Sequence, residues 1–467
     1  MKNKLTKLLG CTLALSTIFS ITTTSAEESS HPLFQDGDKV CFIGNSITMG
    51  GQYTKYIMQY YTTRYPLIRL HYRNNGLGGD ITRGVLDRID TDILSNDPDV
   101  AIMMIGMNDS GENITPDLDE SDEAAVAREN QMRYDLYTSY LDQINEILSQ
   151  NSRELILFTP SIYDEMMEKK NPGQVGRNHR LYTYGEYVKE SAPRYDAKVV
   201  DIWAKSNAVS LALQKDDPNN SFVGKNGDRI HPGGFGGFIM ANEFIKSVEE
   251  PSFVSKVVID ASKSELKESI RAEVNNISGD KTTLSFDMLA EGLPFVFDKE
   301  SLRACEFNSF LEDYNREIVT VTGLKKGDYQ LLIDDVVVGE YSNKELSEGV
   351  NLSMNELTPQ YQQSKAVMNE NENLRKTTYN NRVLPLVEHR ILHLRSDFEE
   401  YLRPDAVIRE VTKRLETETQ GYYIDKYKLY IEFQPKRDQM FVELMLLQDK
   451  LYEMSQPQTH TYKIVKK

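Results

Sequence analysis

Two short motifs of the sequence contain a serine, an aspartate and a histidine, the residue types of a nucleophile and its base. Ser46 lies in Gly44–Thr48, directly after an apolar run, and Asp228 precedes His231 by three positions. An aspartate at that spacing can accept a hydrogen bond from the Nδ1–H of the imidazole and fix its tautomer, which leaves Nε2 to take a proton from a serine hydroxyl. Taken alone, Ser46 is typical of a helix-capping serine, and an Asp-x-x-His motif often arises by chance. The hypothesis of acyl transfer therefore depends on whether the fold brings the two motifs together.

Two further motifs offer groups that could stabilise a developing oxyanion. Residues 74–82 contain three glycines within four positions, the last of them Gly79, and such a segment lets the backbone approach a bound group closely. Gly106–Asp109 contains Asn108, whose side-chain amide can donate to an oxyanion. The alternatives are a flexible loop before a helix and an ordinary turn or cap asparagine. The glycine spacing does not match the G-x-G-x-x-G of dinucleotide-binding loops.

The elements that must position these motifs alternate between apolar runs and helical patterns from about residue 36 to 248. The runs are nearly continuous in large or β-branched apolar residues, which is typical of strands covered on both faces. Five such runs predict an α/β fold with a five-stranded, parallel, doubly wound sheet. The predicted strands are Lys39–Ile43, Ile68–Tyr72, Val100–Ile105, Glu154–Thr159 and Lys198–Ile202, with helical patterns over Tyr53–Tyr65, Arg83–Ser95 and Ala125–Gln150. The motifs follow the first, second, third and fifth strands, so we expect them at the carboxyl edge of one sheet, where open α/β sheets bind ligands.

Jointly, the four motifs resemble those of the SGNH family of GDSL-type serine hydrolases, whose hallmarks are a serine turn, a glycine, a GxND motif and a DxxH motif. The resemblance implies a flavodoxin-like three-layer sandwich and chemistry without a metal or an organic cofactor. It implies that Ser46 is the nucleophile and that Asp228 and His231 complete the triad. It also implies an oxyanion hole formed by the backbone N–H groups of Ser46 and Gly79 and the side chain of Asn108.

The resemblance covers roughly residues 36–248 and has one departure, Asn45, where the commonest family pattern has aspartate. This change keeps the nucleophile and puts only the local hydrogen bonds of the turn in doubt. The sequence lacks a G-x-S-x-G elbow, which disfavours the α/β-hydrolase arrangement. His389 and His393 could share a helix face, but no acid follows the first histidine as in H-E-x-x-H and no third ligand is evident, so no metal site is predicted.

Beyond a predicted hydrolase domain over 33–250, residues 251–352 predict a small β-rich module. Its predicted strands are Val254–Ile259, Thr283–Phe286, Glu317–Val321 and Tyr329–Val338, with a hairpin turn at Ile333–Val336. Ser342 and Glu345 predict a capping box that opens a short helix.

Residues 353–467 are rich in Glu, Gln, Lys, Arg and Leu and predict a helical C-terminal region. The longest helical patterns are Gln360–Arg375 and Gln439–Met454. The preceding stretch, Gly327–Leu352, also resembles segments that follow the hydrolase domain in some exported bacterial members of the family.

Residues 1–26 predict a cleaved signal peptide, so we expect an exported protein, periplasmic or extracellular. Three lysines precede the apolar run Leu8–Ile21, which is followed by the small residues Thr24–Ala26. The alternative of a lipoprotein is disfavoured because Cys11 precedes most of the apolar run instead of following it. No later segment reaches the roughly 18 consecutive apolar residues needed to span a bilayer, so no membrane span is predicted.

The charge and cysteine content exclude several classes of protein. The 467 residues include 71 acidic and 54 basic side chains, and the net charge of −17 disfavours nucleic acid as a partner. Cys41 and Cys305 alone remain after removal of residues 1–26, which excludes a disulfide framework.

Exported members of the family with appended modules resemble enzymes that remove O-acetyl groups from polysaccharides, so we expect a carbohydrate O-acetylesterase acting on an acetylated glycan. The alternatives are a lipase, lysophospholipase or thioesterase with the same triad, and a catalytically silent glycan-binding protein. The segments Met49–Tyr53 and Ser110–Asn113 are polar and small, which favours a short acyl group. The sugar, the ester position and the oligomeric state stay open. We expect residues beyond 250 to shape substrate access, because every motif residue precedes them.

Overall fold

The computed structural model describes residues 33–111, 121–168, 173–248, 252–391 and 403–467. The predicted signal peptide and His393 lie outside these residues. Within them, a parallel α/β domain is followed by two further sheets and a group of C-terminal helices.

The predicted parallel sheet is confirmed, with the doubly wound order β2-β1-β3-β4-β5. Its strands are Lys39–Gly44 (β1), His71–Gly76 (β2), Val100–Met104 (β3), Glu154–Phe158 (β4) and Lys198–Val200 (β5). Every residue of β3 is buried, and β1 and β4 are buried except at their first residue, because helices cover both faces. These helices are Ser46–Gly50 (α1), Gln52–Arg64 (α2), Thr82–Asp87 (α3), Glu123–Asn151 (α4), Arg177–Ser191 (α5), Ile202–Gln214 (α6) and Gly233–Ser247 (α7).

The second strand lies later in the chain than predicted. It begins at His71, whereas the apolar run predicted a start at Ile68. Because β2 is the edge strand of the sheet, half of its residues are only partly buried, and these include polar side chains such as Arg73 and Asn74. The apolar residues before His71 therefore belong to the segment that precedes the strand and not to the strand itself.

Two more sheets form the predicted β-rich module, in the orders β13-β10-β6-β7 and β12-β11-β14-β9-β8. Their inward residues, among them Val257, Phe286, Val319 and Leu331, pack in one hydrophobic core. The strands are Phe253–Asp260 (β6), Glu265–Ile270 (β7), Ala272–Gly279 (β8), Thr283–Ala290 (β9), Arg316–Thr322 (β10), Asp328–Ile333 (β11), Val336–Ser342 (β12), Val350–Asn351 (β13) and Thr459–Lys466 (β14).

The hairpin turn and the capping box predicted in this module are confirmed. The predicted hairpin turn joins β11 and β12, and both of its central residues, Asp334 and Asp335, have positive φ angles of 50° and 65°. The Ser342–Glu345 capping box is present. The last strand, β14, was not predicted, because it pairs with β9 and β11 far earlier in the chain and follows a long helix.

The remaining helices are Lys299–Ala304 (α8), Phe310–Asp313 (α9), Asn343–Glu348 (α10), Pro359–Asn381 (α11), Val383–Pro385 (α12), Pro404–Leu415 (α13), Gly421–Phe433 (α14) and Arg437–Met454 (α15). Helices α11 and α15 confirm the two helical patterns predicted for the C-terminal region. Shorter helical turns lie at Ile89–Ile93, Leu94–Asn96, Ala192–Tyr195, Cys305–Phe307, Leu386–Ile391 and Gln434–Lys436.

Helix α15 covers the open edge of the parallel sheet. The Gln448 side chain accepts a hydrogen bond from the Tyr72 N–H at 2.9 Å and donates to the Tyr72 carbonyl at 3.0 Å. The Tyr452 hydroxyl accepts from the Leu70 N–H at 3.0 Å. An uncovered edge strand would leave these backbone groups without protein partners, so the C-terminal region completes the sheet.

Helix α11 packs along α2 of the parallel domain. Val367 and Leu374 are fully buried in the same hydrophobic core as the parallel sheet. The Asn371 side chain donates to the Lys55 carbonyl at 2.7 Å, and Arg375 donates to the Gly50 carbonyl at 2.9 Å. The C-terminal region is therefore held directly against the segment that follows Ser46.

Among the described residues, no helix is both long enough and apolar enough to cross a bilayer. Cys41 is buried in β1, Cys305 is partly buried, and both are free thiols.

A buried carboxyl group in the β-rich module has an unusual environment. Glu317 on β10 is 1% exposed, and neither of its carboxyl oxygens has a hydrogen-bond partner within the described part of the chain. Burial raises the pKa of Glu317 from 4.5 to about 7. The carboxyl therefore stays largely protonated in the folded protein up to neutral pH.

We predict that Glu317→Gln stabilises the protein in a pH-dependent manner. Since the pKa is higher in the folded state, the native protein loses stability as the pH rises from 4.5 to about 7 and stays less stable above that range. The gain from the substitution should rise from about 1 kcal/mol at pH 5 to about 3 kcal/mol at pH 8. Thermal or denaturant unfolding at the two pH values measures it. The exposed Glu273→Gln on β8 is the control and should show no such trend; an equal effect of Glu317→Gln at both pH values would contradict the prediction.

Candidate active site

Ser46 begins α1 at the carboxyl end of β1. The preceding residue, Asn45, is the N-cap of this helix, and its side chain accepts a hydrogen bond from the Ile47 N–H at 3.0 Å. The hydrogen bond that the departure from aspartate put in doubt is therefore present. Gly44 is required by close packing, since a Cβ atom there would lie 2.4 Å from the carbonyl oxygen of Met104.

The fold brings Ser46, His231 and Asp228 into one hydrogen-bonded row. His231 Nε2 lies 2.8 Å from Ser46 Oγ, and His231 Nδ1 lies 2.5 Å from Asp228 Oδ2. These contacts join residues 185 positions apart in the chain, at the end of β1 and just before α7. The row has the order expected for a serine, its base and the group that orients the base.

The turn before α7 fixes the positions of the aspartate and the histidine. Asp228 Oδ1 accepts hydrogen bonds from the N–H groups of Ile230 at 3.0 Å and His231 at 2.8 Å. Between them, Arg229 has a left-handed φ of 78°, a conformation that costs a non-glycine residue about 1 kcal/mol or more. Its buried guanidinium donates to the Asp164 carbonyl at 2.7 Å, which anchors the turn. The sequence analysis did not assign this role to Arg229, although the residue lies inside the DxxH motif.

Asp228 is held in its ionised form. Partial burial raises the pKa of its carboxyl, but hydrogen bonds from the His231 ring and from backbone N–H groups outweigh burial and keep the pKa well below its usual range. An ionised Asp228 accepts a hydrogen bond from the Nδ1–H of His231, so Nε2 has its lone pair directed at Ser46. The row can thus act as general base and nucleophile.

The two candidate oxyanion residues have different surroundings. Gly79 has a positive φ of 77° and lies in the wall of the cavity that contains Ser46 and His231. Asn108 is partly buried, and its amide donates to the Asp80 carbonyl at 2.7 Å. Because a side-chain amide carries two N–H groups, this bond leaves one for a ligand. Asn108 is not among the cavity-lining residues, so its predicted role stays a prediction.

A second contact joins the glycine loop to the GxND loop. Asp109 Oδ1 accepts hydrogen bonds from the N–H of Thr82 at 2.9 Å and from its hydroxyl at 2.6 Å. Burial raises the pKa of Asp109 to about 6, although the Thr82 hydrogen bonds act in the opposite direction. Asp109 is therefore a positioning residue that holds the start of α3 beside Asn108.

Four buried charges connect these loops to the C-terminal region. Arg88 pairs with Asp80 at 2.9 Å and with Asp92 at 2.5 Å, and Arg382 pairs with both carboxyl oxygens of Asp92 at 2.7 and 2.8 Å. All four residues are less than 10% exposed. Burial raises the pKa of Asp92, but Arg382 and Arg88 outweigh it and hold that pKa far below its usual range. We refer to Asp80, Arg88, Asp92 and Arg382 as the charge network.

The two arginines of the charge network also donate hydrogen bonds to backbone carbonyls near the site. Arg88 donates to the Gly44 carbonyl at 3.4 Å, two residues before Ser46. Arg382 donates to the Gly76 carbonyl at 3.2 Å, three residues before Gly79. The serine turn and the glycine loop thus share one set of buried cations, one of which comes from the C-terminal region.

A cavity of about 770 Å³ contains the Ser46 and His231 side chains. Both the parallel domain and the C-terminal region contribute to its wall. The lining residues are Ser46, Ile47, Met49, Gly50, Gln52, Gly78, Gly79, His231, Pro232, Gly233, Tyr379, Leu386, Arg414, Glu418, Tyr422, Tyr423 and Tyr427. The segments beyond residue 353 therefore add Leu386 and four tyrosines to the apolar side chains of Ile47 and Met49. Within the described ranges, no group of three or more His, Cys, Asp or Glu side chains is arranged to hold a metal ion.

Comparison with known proteins agrees with this geometry. Residues 42–236, which include all four motifs, match the family model of the GDSL-like lipases and acylhydrolases. This part of the chain is therefore similar to that family, and residues 42–236 are referred to below as the GDSL-like domain. The acetylxylan esterase of Geobacillus stearothermophilus is 25% identical over 227 residues, which make up 45% of this chain and 94% of that protein. This similarity is thus about the size of the GDSL-like domain.

A second similarity extends beyond the GDSL-like domain. The solved structure of BT4096, a gut microbial diltiazem-metabolizing enzyme, has a TM-score of 0.83 with this chain at 29% sequence identity. The match covers 93% of this chain and 98% of that structure. The additional sheets and the C-terminal helices are therefore a shared architecture of the two proteins.

We predict that Ser46→Ala and His231→Ala each abolish ester hydrolysis and leave the fold intact. Ser46 is only partly buried and His231 is exposed, so neither substitution opens a hole in the core. Initial rates on a small acetate ester measure activity, and circular dichroism with a melting curve checks folding. His179→Ala, at an exposed histidine on α5, is the matched control and should retain full activity. Turnover by folded Ser46→Ala protein would exclude Ser46 as the nucleophile.

We predict that Arg382→Met lowers both stability and kcat. The substitution leaves part of the charge of Asp92 unpaired and frees the Gly76 carbonyl, and the loss of one partner of a buried pair costs about 3–5 kcal/mol. The exposed pair Arg409–Asp405 provides the control, since Arg409→Met should cost less than about 1 kcal/mol and leave kcat unchanged. Denaturant unfolding and steady-state kinetics measure the two quantities. Equal effects of the two variants would show that the charge network does not hold the site.

Proposed function

We propose that this protein removes O-acetyl groups from carbohydrate esters through an acyl-enzyme on Ser46. The observation that carries the proposal is the hydrogen-bonded row of Ser46, His231 and Asp228 beside a cavity at the carboxyl edge of the sheet. Support for the acetyl group and the carbohydrate comes from the similarity of the GDSL-like domain to an acetylxylan esterase. The second relative, which is similar over nearly the whole chain, is a diltiazem-metabolizing enzyme, which supports an enzymatic activity for the whole architecture.

The reaction has two acyl-transfer steps. His231 Nε2 takes the Ser46 proton as Oγ attacks the acetyl carbonyl carbon, and Asp228 stabilises the resulting imidazolium. His231 then gives the proton to the leaving alcohol oxygen as the ester C–O bond breaks, which leaves acetyl-Ser46. In the second step His231 takes a proton from water, the hydroxide attacks the acetyl carbonyl, and Ser46 leaves with the proton while acetate is released.

The oxyanion of each tetrahedral intermediate needs donors close to Ser46. We assign this role to the backbone N–H groups of Ser46 and Gly79 and to the amide of Asn108. A donor of this kind typically supplies about 2.7–4 kcal/mol of transition-state stabilisation. No step of this mechanism requires a metal or an organic cofactor.

We also propose that the reaction takes place outside the cytoplasm, in the periplasm or the extracellular space. The support is the charged, apolar and small-residue pattern of residues 1–26. Acetylated glycans are compatible substrates there, and the negative net charge of −17 favours neutral or weakly charged glycans over strongly anionic ones.

Hydrolysis of a lipid or thioester is the second candidate, because the cavity beside Ser46 has an apolar and aromatic wall. Leu386, Met49 and Ile47 lie in its wall beside four tyrosines. Each methylene of an acyl chain buried there would contribute about 0.8 kcal/mol. The length of the preferred acyl group therefore separates the two candidates.

We predict that kcat/KM falls from acetyl to octanoyl esters of the same alcohol and that acetate is released from acetylated xylo-oligosaccharides. Titration of released acid on the ester series and quantification of acetate measure the two outcomes. Folded Ser46→Ala protein is the background control. Efficiency that rises with chain length, without acetate release from any glycan, would favour the lipid candidate.

A further inference from the structure

The C-terminal region supplies all the tyrosines of the active-site cavity. Tyr379 lies near the end of α11, and Tyr422, Tyr423 and Tyr427 lie on α14. Among the described lining residues, those from the GDSL-like domain include no tyrosine, phenylalanine or tryptophan. Any contact between a substrate ring and an aromatic wall therefore depends on residues beyond 353.

Tyr422 comes nearest to the loop that carries Gly79. Its hydroxyl oxygen lies 3.2 Å from the point where a Cβ atom of Gly78 would be. Despite this contact, Tyr422 is 52% exposed, so much of its side chain remains accessible. An ester bound with its carbonyl oxygen at Gly79 would place its remaining atoms within reach of this ring.

Contacts among neighbouring side chains hold the tyrosines in place. The rings of Tyr422 and Tyr423 pack edge to face, with centroids 5.4 Å apart. Lys426 lies 5.4 Å from the Tyr422 ring centroid and donates to the Tyr379 hydroxyl at 3.0 Å. Because the rings are positioned by the protein, little conformational freedom is lost when a ligand contacts them.

A buried tyrosine on α14, Tyr430, shows how this helix is anchored without Tyr422. Tyr430, on the same helix, is fully buried, and its hydroxyl donates to Glu388 at 2.8 Å. It packs in a separate hydrophobic cluster with Val407 and Val411. The helix is therefore fixed by this cluster, against which Tyr423 also packs, while Tyr422 lies outside the cluster and lines the cavity.

We propose that Tyr422, assisted by Tyr423, is a specificity-determining residue that contacts a ring in the alcohol portion of the substrate, such as one sugar unit. The proposal rests on the proposed function, because an acetyl group contains no ring and the ring must then belong to the alcohol. The cavity volume of about 770 Å³ suits a compact ligand, since small-molecule sites span about 300–1,000 Å³. The C-terminal region would thus select the alcohol, while the GDSL-like domain cleaves the ester.

The experiment compares a ring-bearing and a ringless acetate in the full-length protein. The substrates are a mono-O-acetylated methyl xyloside and ethyl acetate, and released acetate gives kcat and KM for each. In Tyr422→Ala, kcat/KM for the xyloside ester should fall about three- to tenfold further than kcat/KM for ethyl acetate, mainly through KM, as expected for loss of an aromatic contact. Tyr422→Phe keeps the ring and should keep the wild-type ratio.

Tyr140→Ala, on α4 and remote from the cavity lining, is the matched control and should leave both substrates unchanged. Melting curves check that each variant is folded, and Tyr423→Ala is a second variant that should lower the ratio in the same direction. An unchanged ratio in folded Tyr422→Ala and Tyr423→Ala overturns this proposal alone. Absence of acetate release by the wild-type protein from both esters overturns the proposed function and this proposal together.

Discussion

Two buried guanidinium groups, Arg88 and Arg382, share the carboxylate of Asp92, and the arrangement of the active site depends on this contact. A buried charge is tolerated only when it is paired and its remaining hydrogen-bond groups are satisfied. The two arginines meet that requirement with Asp80 and with the backbone carbonyls of Gly44 and Gly76. The same bonds that neutralise the charges therefore fix the serine turn and the glycine loop. Displacement of the serine turn would remove a carbonyl partner from Arg88, and displacement of the glycine loop would remove one from Arg382.

This contact also makes the C-terminal region part of the catalytic unit. Arg382 comes from that region, Gln448 bonds the edge strand through Tyr72, and Arg375 bonds the Gly50 carbonyl just after the serine turn. Each of these hydrogen bonds is made to a carboxylate or backbone group of the parallel domain. The helices that carry the cavity tyrosines are thus held by the same set of interactions that complete the sheet. The position of Ser46 and the shape of the cavity wall therefore depend on one connected set of contacts.

The sequence predicted those features that depend on neighbouring residues. Buried strands such as β3 have continuous apolar runs, the capping box at Ser342 has its partner three positions away, and strand order brings the four motifs to one sheet edge. The features that were missed join distant segments. Gln448 and Tyr72 lie 376 positions apart, and Arg382 and Asp92 lie 290 apart. Neither glutamine nor arginine differs in its local pattern from an ordinary solvent-facing residue of a helix, so only the folded chain reveals these roles.

The carboxyl groups of Asp80, Asp109 and Asp228 lie near the candidate site but have different surroundings. A negative charge that develops near Asn108 would be opposed by Asp80 and Asp109 if both were fully ionised and unpaired. Arg88 neutralises Asp80, and burial raises the pKa of Asp109 to about 6 while Thr82 supplies two donors to it. Asp228, in contrast, is kept ionised by its hydrogen bonds with His231. Negative charge is therefore retained at Asp228, beside the His231 ring, whereas the charge of Asp80, beside Asn108, is paired with Arg88.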